Sequence, residues 1–385
     1  MINYGRQSLN SRDINEVLKV LKSELITQGK KINEFEKDLN KKFGSKYCNV
    51  VASGTSALHL AGLSLGWNKN DIILTSPLSF IASANCILYS NARPDFADID
   101  KETFTIDPNC VEDKIKFYKK KGKKIRSIVG IDYAGHPCDW LSLRYLANKH
   151  NISLINDNCH ALGSAYNRNF KYAVKYADIV TQSYHPVKAI TTGEGGSILT
   201  NDKNLYLKIK SYRSHGIEKN NSMMKKNGLW YYEMQRLGFN YRITDFQCAL
   251  GISQLKQLDK FIRKRNKIAN KYNQVFQFNS KLTIPGVKKD VVHSYHLYPL
   301  QINFHKIRLN KKDLFIKMKK KGINLMVHYI PIHLQPYYKK KFHYKFGDYP
   351  ISENFYRKEC SLPIFANLKD SHQNLVIKKL LEYIK

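Results

Sequence analysis

The sequence contains no run of about eighteen apolar residues, the shortest stretch that reads as a membrane-spanning helix. Residues 1–6 show no charged segment followed by an apolar one, so no secretory signal is expected. The seven cysteines are scattered and none forms a Cys-x-x-Cys pair, which disfavours a structural zinc site and favours a reducing compartment. These absences predict a cytoplasmic chain with no metal site and no membrane partner.

Acidic residues are also scarce, because 31 Asp and Glu face 64 Lys and Arg and leave a formal net charge of +33. One interpretation is a basic nucleic-acid-associated protein on an inactive enzyme scaffold. However, the basic runs lie in three separate places, and Lys greatly outnumbers Arg, the residue that base and phosphate recognition prefers. No zinc-finger, RNA-recognition or helix-turn-helix signature is present. A solvated basic surface with no nucleic-acid partner is therefore the favoured interpretation.

Strand-like runs alternate with helical patterns through the first half of the chain. The strand-like runs lie at 71–75, 125–132, 152–157, 179–183 and 197–200. Helical patterns near 56–65, 80–90 and 140–149 separate the earlier runs. This alternation predicts an α/β protein with a mostly parallel sheet covered by helices.

The second half of the chain predicts a smaller unit of the same class. A long helical pattern from 245 to about 272 leads to strand-like runs at 295–302 and 323–328. The length of 385 residues allows about two domains. We therefore expect a large domain at 1–250 and a small C-terminal domain at 251–385. The polar stretch 219–227 is expected to be a surface loop.

One lysine stands out by its position. Lys188 follows the strand-like run that ends at Ser183, between a proline and a glycine-rich turn. A lysine held in such a turn can form an imine with an aldehyde cofactor, and glycines let backbone approach a ligand closely. Upstream, the apolar run at 152–157 ends in Asp157. A lysine for a Schiff base and an aspartate for a pyridinium nitrogen are what pyridoxal 5'-phosphate (PLP) needs from a protein. Taken singly, a loop lysine is usually a solvated charge and a strand-end aspartate a turn former.

A third element, Ser-Gly-Thr-Ser at 53–56, separates an apolar strand-like run from a helix-favouring one. Backbone N–H groups at a helix start have no intrahelical partner, and the helix dipole adds partial positive charge there. Gly54, Thr55 and Ser56 are thus placed to hold a phosphate. An ordinary helix cap, which Ser and Thr provide in many helices, is the alternative.

In their order and spacing, these three elements resemble the DegT/DnrJ/StrS family of PLP-dependent sugar-nucleotide aminotransferases. The resemblance covers essentially the whole chain, through segments at 4–7, 25–29, 75–85, 98–100, 133–139, 237–245 and 328–338. It implies the PLP-dependent transferase fold type I, which is the architecture of aspartate aminotransferase. In that fold a large domain with a mostly parallel mixed sheet precedes a smaller C-terminal α/β domain.

The resemblance also implies roles for individual residues. Lys188 would hold PLP and then move protons as base and acid, and Asp157 would pair with the pyridinium nitrogen. Together with this catalytic pair, the implied cofactor-binding residues are Gly54, Thr55, Ser56, Phe80, His160, Ser183 and Asn240. The candidates for substrate binding are Tyr4, His185, Tyr329, His333 and Tyr337.

Three of the implied cofactor contacts have a structural alternative. Phe80 would stack on the cofactor ring, but an aromatic residue there could equally pack in the core. His160 would lie beside the ring, but it could equally be a buried, hydrogen-bonded structural residue. Asn240 would reach the phosphate of the neighbouring subunit's cofactor, which implies a homodimer with a shared active site, whereas Asn near a glycine is more often a turn residue.

Segments at 183–188, 230–235 and 328–338 resemble the pseudaminic acid branch of the family most closely. That branch transfers the amino group of L-glutamate to the 4-keto carbon of a UDP-linked 2-acetamido-2,6-dideoxy-hexos-4-ulose. The implied product is UDP-4-amino-4,6-dideoxy-N-acetyl-altrosamine, a precursor of surface glycans. An aminotransferase for another nucleotide-linked 3- or 4-ketosugar, such as a dTDP-linked one, is the alternative. Lys188 favours amino transfer over dehydration, because deoxygenating relatives carry His at that position.

Overall fold

The computed structural model describes residues 1–385 and is organised around a seven-stranded sheet. Its strands are β1 Tyr47–Val51, β2 Ile72–Thr75, β3 Arg93–Phe96, β4 Ile125–Ile131, β5 Ser153–Asp157, β6 Ile179–Ser183 and β7 Gly196–Thr200. The spatial order is β1-β7-β6-β5-β4-β2-β3, and only β7 runs antiparallel to its neighbours. The mostly parallel mixed sheet predicted from the sequence is therefore confirmed.

Helices cover both faces of this sheet. They are α1 Ser11–Leu21, α2 Lys30–Phe43, α3 Gly54–Ser64, α4 Ala82–Tyr89, α5 Pro108–Lys120, α6 Trp140–His150, α7 Tyr172–Tyr176 and α8 Lys203–Arg213. Side chains along a strand alternate between faces, so neighbours in β5 enter different cores: Leu154 packs in one apolar cluster and Ile155 in another. Burial on both faces explains why the strands read as near-continuous apolar runs.

A short two-stranded ribbon follows α8. It consists of β8 Ile217–Glu218 and β9 Glu233–Met234, with helix α9 Asn221–Asn227 between them. The surface loop predicted for 219–227 is therefore wrong. The Asn220 side chain accepts a hydrogen bond from the N–H of Met223 and starts a helix there. Beyond α9, Leu229 and Trp230 are each 78% exposed.

The remaining elements are α10 Asp245–Leu255, α11 Leu258–Phe276, β10 Leu282–Thr283, β11 Tyr298–Ile302, α12 Lys311–Lys320, α13 Pro336–Phe342, α14 Pro350–Lys358, β12 Glu359–Leu362 and α15 Asp370–Tyr383. Strands β10, β11 and β12 form a three-stranded antiparallel sheet. A separate core of 22 buried residues packs around this sheet. No helix in the structure combines the length and apolarity needed to cross a bilayer.

Two predictions for the second half need correction. The long helical pattern corresponds to two helices, because a turn between Leu255 and Leu258 separates α10 from α11. The strand predicted at 323–328 is not a strand, because its strand-type pairing is limited to isolated bridges at Ile323 and Met326. The third strand of the small sheet is instead β12, where Glu359 and Ser361 interrupt the expected apolar pattern. The domain boundary between residues 250 and 251 stays a prediction.

Candidate active site

Lys188 lies in the turn that leaves the carboxyl end of β6. Its backbone N–H donates to the carbonyl of His185 at 2.9 Å, which closes the turn. The side chain is only partly accessible, and burial lowers the pKa of its amine, while the nearby Cys159 and Asp157 act in the opposite direction. A lysine amine with a lowered pKa is a better nucleophile and base at neutral pH than an exposed one.

Asp157 ends β5, the strand that pairs with β6, and is 4% exposed. Its Oδ2 atom accepts a hydrogen bond from the Ser83 hydroxyl at 2.7 Å, and Oδ1 accepts one from the Cys159 N–H at 3.2 Å. Because parallel strands place their carboxyl ends at one edge of a sheet, the carboxylate and Lys188 lie near each other. Two donors hold the Asp157 side chain in a single orientation.

The start of α3 faces the end of β6. A Cβ added at Gly54 would lie 2.7 Å from Ser183 Cβ, so only glycine fits there without displacement. The first N–H groups of the helix, at Gly54 and Thr55, have no intrahelical partner. The backbone N–H of Ser56, by contrast, has a hydrogen-bond partner. Its N–H donates to Ser53 Oγ at 3.1 Å, and its hydroxyl donates to Ser53 O at 2.7 Å. The structure thus uses Ser56 to cap the helix.

Three buried histidines surround Lys188: His160, His296 and His328. The rings of His160 and His296 lie 4.3 Å apart. Burial lowers the pKa of all three, with a further contribution from the Lys188 charge, and brings the pKa of His328 to about 3. The three imidazoles are therefore neutral, and they offer hydrogen bonds without adding positive charge beside the amine.

Sequence reasoning did not single out His296 or His328 as site residues. His296 lies just before β11, in the strand-like run predicted at 295–302, and His328 closes the apolar run predicted at 323–328. The signal was present, because a titratable ring in an otherwise apolar segment is unusual. Only the fold shows that both rings converge on Lys188.

Aromatic side chains form the rim of the site. Phe80 is 55% exposed and its ring lies 6.1 Å from that of Tyr329, so it is not a core residue of this chain. The Tyr4 ring packs 4.8 Å from His328. The N-terminal segment is tied to the lysine turn, because a Cβ on Gly5 would lie 3.3 Å from Val187 Cβ. The rim therefore combines three distant parts of the chain.

Two predicted substrate-binding residues are not brought to this site. His333 is 0% exposed, and its Nε2 atom is paired with Glu353 Oε1 at 2.9 Å, so it is a structural residue of the core. Tyr337 lies in a separate cleft of about 440 Å³, where its hydroxyl accepts a hydrogen bond from Lys341 at 3.1 Å. His185 is exposed in the lysine turn, with Nε2 4.0 Å from a Glu194 carboxylate oxygen. Spacing along the sequence could not show that His185 lies near Lys188 whereas His333 and Tyr337 do not.

Asn240 lies outside the group around Lys188 in this chain. It is exposed and forms an isolated bridge with Ser214, after the ribbon that carries Trp230. This position is compatible with a contact across a subunit boundary. Its contact with a neighbouring subunit's cofactor stays a prediction.

The donor set fits PLP. The aldehyde would meet the Lys188 amine, the ring nitrogen would meet the buried Asp157 carboxylate, and the phosphate would meet the free N–H groups of Gly54 and Thr55. The exposed face of Phe80 is available for stacking on a planar ring. Each polar part of the cofactor thus has a partner of suitable chemistry.

Comparison with known proteins gives a consistent result over the full length. Residues 7–381 match the model of the DegT/DnrJ/EryC1/StrS aminotransferase family. The UDP-4-amino-4,6-dideoxy-N-acetyl-beta-L-altrosamine transaminase of Campylobacter jejuni is 40% identical over 96% of this chain and 95% of its own length. The spore coat polysaccharide biosynthesis protein SpsC of Bacillus subtilis is 33% identical over 99% of this chain and 97% of its own.

Solved structures agree. Helicobacter pylori PseC, an aminotransferase involved in the biosynthesis of pseudaminic acid, is similar with a TM-score of 0.90 and 34% identity, over 100% of this chain and 99% of its own. A Streptococcus pneumoniae protein solved in its PLP form has a TM-score of 0.87 at 26% identity, over 98% of this chain and 97% of its own.

Proposed function

The chain belongs to the DegT/DnrJ/EryC1/StrS aminotransferase family and is a PLP-dependent sugar aminotransferase, and we propose that it aminates the 4-keto carbon of a UDP-linked sugar. The proposed substrate is UDP-2-acetamido-2,6-dideoxy-hexos-4-ulose, with L-glutamate as amino donor. The product is then UDP-4-amino-4,6-dideoxy-N-acetyl-altrosamine, a precursor of pseudaminic acid in surface glycans. The observation that carries this proposal is 40% identity over nearly the whole length to a transaminase named for that product.

When bound, PLP supplies an electron-withdrawing ring that acidifies the carbon bearing the amino group and so allows nitrogen to move between substrates. Lys188 would hold the cofactor, and its amine would serve as base and acid at the substrate carbon. Burial supports this role, because it lowers the pKa of the amine towards the pH of the reaction. Asp157 balances a positive charge on the ring nitrogen, and Ser83 holds the carboxylate in place.

His160 and Tyr329 form a hydrogen-bonded pair, and His160 lies beside Lys188. The Ala134 N–H donates to His160 Nδ1 at 3.3 Å, which leaves the His160 proton on Nε2. That atom lies 3.3 Å from the Tyr329 hydroxyl oxygen and donates to it. The Tyr329 proton is then free to point into the site and to bind an oxygen of the sugar.

The proposed enzyme is a homodimer with a shared active site. Supporting this, Phe80 and the 229–237 segment expose large apolar side chains in the single chain, including Leu237 at 76%. Asn240 follows this segment and would reach the partner's cofactor phosphate. Sedimentation of the purified protein should give a mass twice the 44.7 kDa of one chain. A monomer that retains full turnover would contradict the shared site.

We place the reaction in the cytoplasm. All seven cysteines are free thiols, and five of them are buried. A chain without disulfides is typical of a reducing compartment.

The first test is an absorbance spectrum of the purified protein before and after adding L-glutamate. A visible band that shifts to shorter wavelength establishes the Lys188-bound cofactor and the donor together. A protein that stays colourless when PLP is added would contradict the assignment of the site. The matched control is the Lys188→Ala variant, which retains the fold but lacks the anchoring amine.

The second test separates the sugars. Turnover of UDP-, dTDP- and GDP-linked 4-ketohexoses is compared under the same conditions, with the position of the new amine read by NMR of the product. The GDP-linked sugar is included because the GDP-perosamine synthase of Escherichia coli is 31% identical over 98% of this chain. Preference for a dTDP- or GDP-linked sugar would overturn the UDP assignment and leave the aminotransferase assignment intact.

A further inference from the structure

A chain of hydrogen bonds leads from His328 into strand β12. His328 Nδ1 lies 2.8 Å from Ser361 Oγ, and Ser361 Oγ lies 2.5 Å from Glu359 Oε1. The backbone N–H of His328 donates to the other carboxyl oxygen, Glu359 Oε2, at 3.0 Å. Ser361 and Glu359 are 0% exposed and His328 is 5% exposed, so water does not compete for these bonds. The buried carboxyl group of Glu359 is thus connected by hydrogen bonds to an imidazole of the active site.

The other nitrogen of the same imidazole faces the site. His328 Nε2 has no hydrogen-bond partner within the chain, and it is not one of the fully enclosed side-chain atoms that lack a partner. The ring packs against Tyr4 on the rim, and it is close enough to Lys188 for the lysine charge to lower the pKa of His328. His328 therefore presents Nε2 to whatever binds beside Lys188.

Counting protons gives two self-consistent states in which Ser361 links His328 to Glu359 Oε1. A neutral imidazole carries one N–H, and a serine hydroxyl carries one O–H. If Ser361 donates to an ionised Glu359, then His328 Nδ1 must donate to Ser361, and Nε2 is a bare acceptor. If Glu359 holds a proton on Oε1, it donates to Ser361, Ser361 donates to Nδ1, and Nε2 carries the proton. We assign the proton to Oε1, because Oε1 faces Ser361 whereas Oε2 accepts the His328 N–H.

We propose that Glu359 and Ser361 are positioning residues of the active site, which decide whether His328 Nε2 donates a hydrogen bond to the substrate or accepts one. The role assigned to Nε2 rests on the proposed function, because the group it meets is taken to be an oxygen of a ketosugar. A donor suits a carbonyl oxygen, whereas an acceptor would repel it. The state in which Glu359 is protonated is therefore the productive one.

The surroundings of Glu359 favour that state at neutral pH. The pKa of Glu359 is raised to about 8, because complete burial outweighs the lowering by its hydrogen bonds to Ser361 and His328 and by the Lys311 charge. The other titratable groups that face it are Tyr133, Tyr329 and Cys360, whose pKa values burial and this carboxyl group raise, so they stay neutral. Ionisation of Glu359 is thus the change expected as the pH rises through about 8.

The direct test is the tautomer of His328 in the holoenzyme, read from imidazole nitrogen shifts after labelling with nitrogen-15 histidine. The His328 signal is identified by its loss in His328→Gln. We expect the proton on Nε2 at about pH 6.5 and on Nδ1 at about pH 9.5. In Glu359→Gln, whose amide always donates to Ser361, the proton should stay on Nε2 at both pH values. A wild-type tautomer that does not change over this range would overturn the proposal.

The kinetic test asks whether this switch reaches the reaction. In the wild type, kcat/KM for the sugar should decrease as the pH rises, with an apparent pKa near that of the tautomer change. This alkaline limb of the pH profile should be absent in Glu359→Gln and in Ser361→Ala. Ser127→Ala is the matched control, because it also removes a buried hydroxyl, which binds Trp67 Nε1 at 2.8 Å far from the site. It should keep the limb. An unchanged limb in both relay variants would overturn the proposal.

These readouts keep the two proposals apart. A tautomer change without turnover of any UDP-ketosugar would refute the proposed substrate and leave the relay standing. Turnover of the UDP-ketosugar with no tautomer change would refute the relay alone. If Glu359→Gln does not fold, the wild-type titration and Ser361→Ala still decide the question.

Discussion

His160 Nε2 lies 3.3 Å from the Tyr329 hydroxyl oxygen and so joins the carboxyl end of β5 to the segment that precedes α13. The Ala134 N–H occupies His160 Nδ1 and settles which nitrogen donates. A backbone group in the turn after β4 thereby sets the direction of a hydrogen bond that ends on a side chain of another part of the chain. The Tyr329 hydroxyl is left with one free proton for the substrate.

Replacement of Tyr329 by Phe should therefore lower kcat/KM for the sugar by roughly 10- to 100-fold, the cost of one hydrogen bond in a buried site. Glutamate-dependent bleaching of the visible band should change less, because the proposed contact is to the sugar. The two half-reactions are measured separately by stopped-flow absorbance. Tyr145→Phe, on an exposed ring outside the site, is the control. Equal losses in both half-reactions would point to a role at the cofactor instead.

The second prediction concerns Lys188. Lys188→Ala should lose the visible absorbance band and at least about a thousandfold in turnover, because both the anchor and the proton carrier are removed. Lys175→Ala, which removes an exposed lysine, should keep both. A variant at position 188 with wild-type activity would show that another group carries the proton.

The third prediction concerns the carboxylate under the ring. Asp157→Asn should weaken PLP binding and slow both half-reactions, because a neutral amide no longer balances a positive ring nitrogen. Ser83→Ala should fall between this variant and the wild type, since it removes one hydrogen bond but keeps the charge. PLP affinity is measured by titrating the apoenzyme and following the absorbance band. Identical affinities in all three proteins would contradict the assignment.

The fourth prediction concerns the contact between Gly54 and Ser183. Gly54→Ala should destabilise the fold by about 1–3 kcal/mol and weaken PLP binding, because the new methyl group would overlap the Ser183 side chain. The double variant Gly54→Ala/Ser183→Gly removes the overlapping atoms and should recover much of the stability. Thermal melting of the apoenzyme checks the first effect, and titration with PLP checks the second. A double variant less stable than Gly54→Ala would show that the overlap is not the cause.

The fifth prediction is a pH dependence of stability. Burial raises the pKa of Glu359 from its ordinary value of 4.5 to about 8, so the folded protein binds the Glu359 proton more tightly than the unfolded chain does. The stability linked to that proton is present below the unfolded pKa and is lost as the pH rises towards 8. The melting temperature of the wild type should therefore fall relative to Glu359→Gln between about pH 5 and pH 8. A constant difference would show that Glu359 ionises normally in the folded protein.

Local signals predicted the large sheet well. Strands β5 and β6 are buried on both faces, so they read as apolar runs, and their ends are marked by Asp157 and Ser183. Strand β12 carried no such signal, because Glu359 and Ser361 are polar in sequence although both are buried in the fold, where they bond to His328. The segment 323–328 failed in the opposite way, because its apolar residues are typical of a strand, yet it forms only isolated bridges.

The sequence did not predict helix boundaries that depend on a single capping residue or turn. The polar stretch 219–227 lacks an apolar face, so its composition predicted a loop, whereas the Asn220 cap and the local backbone bonds form α9. The pattern from 245 to 272 is continuous in sequence, and the turn at Gln257 that divides it is a matter of tertiary packing.

The sequence by itself determined the fold class and the family, and it singled out Lys188 and Asp157 as the residues proposed to bear the chemistry, because strand-end position and residue type are local properties. Only the tertiary structure decided which other side chains reach that chemistry. It brought His296 and His328 to Lys188, left His333 in the core, and joined His328 to Glu359. Those relationships depend on contacts between segments far apart in the chain, and no local pattern records the direction in which a buried side chain points.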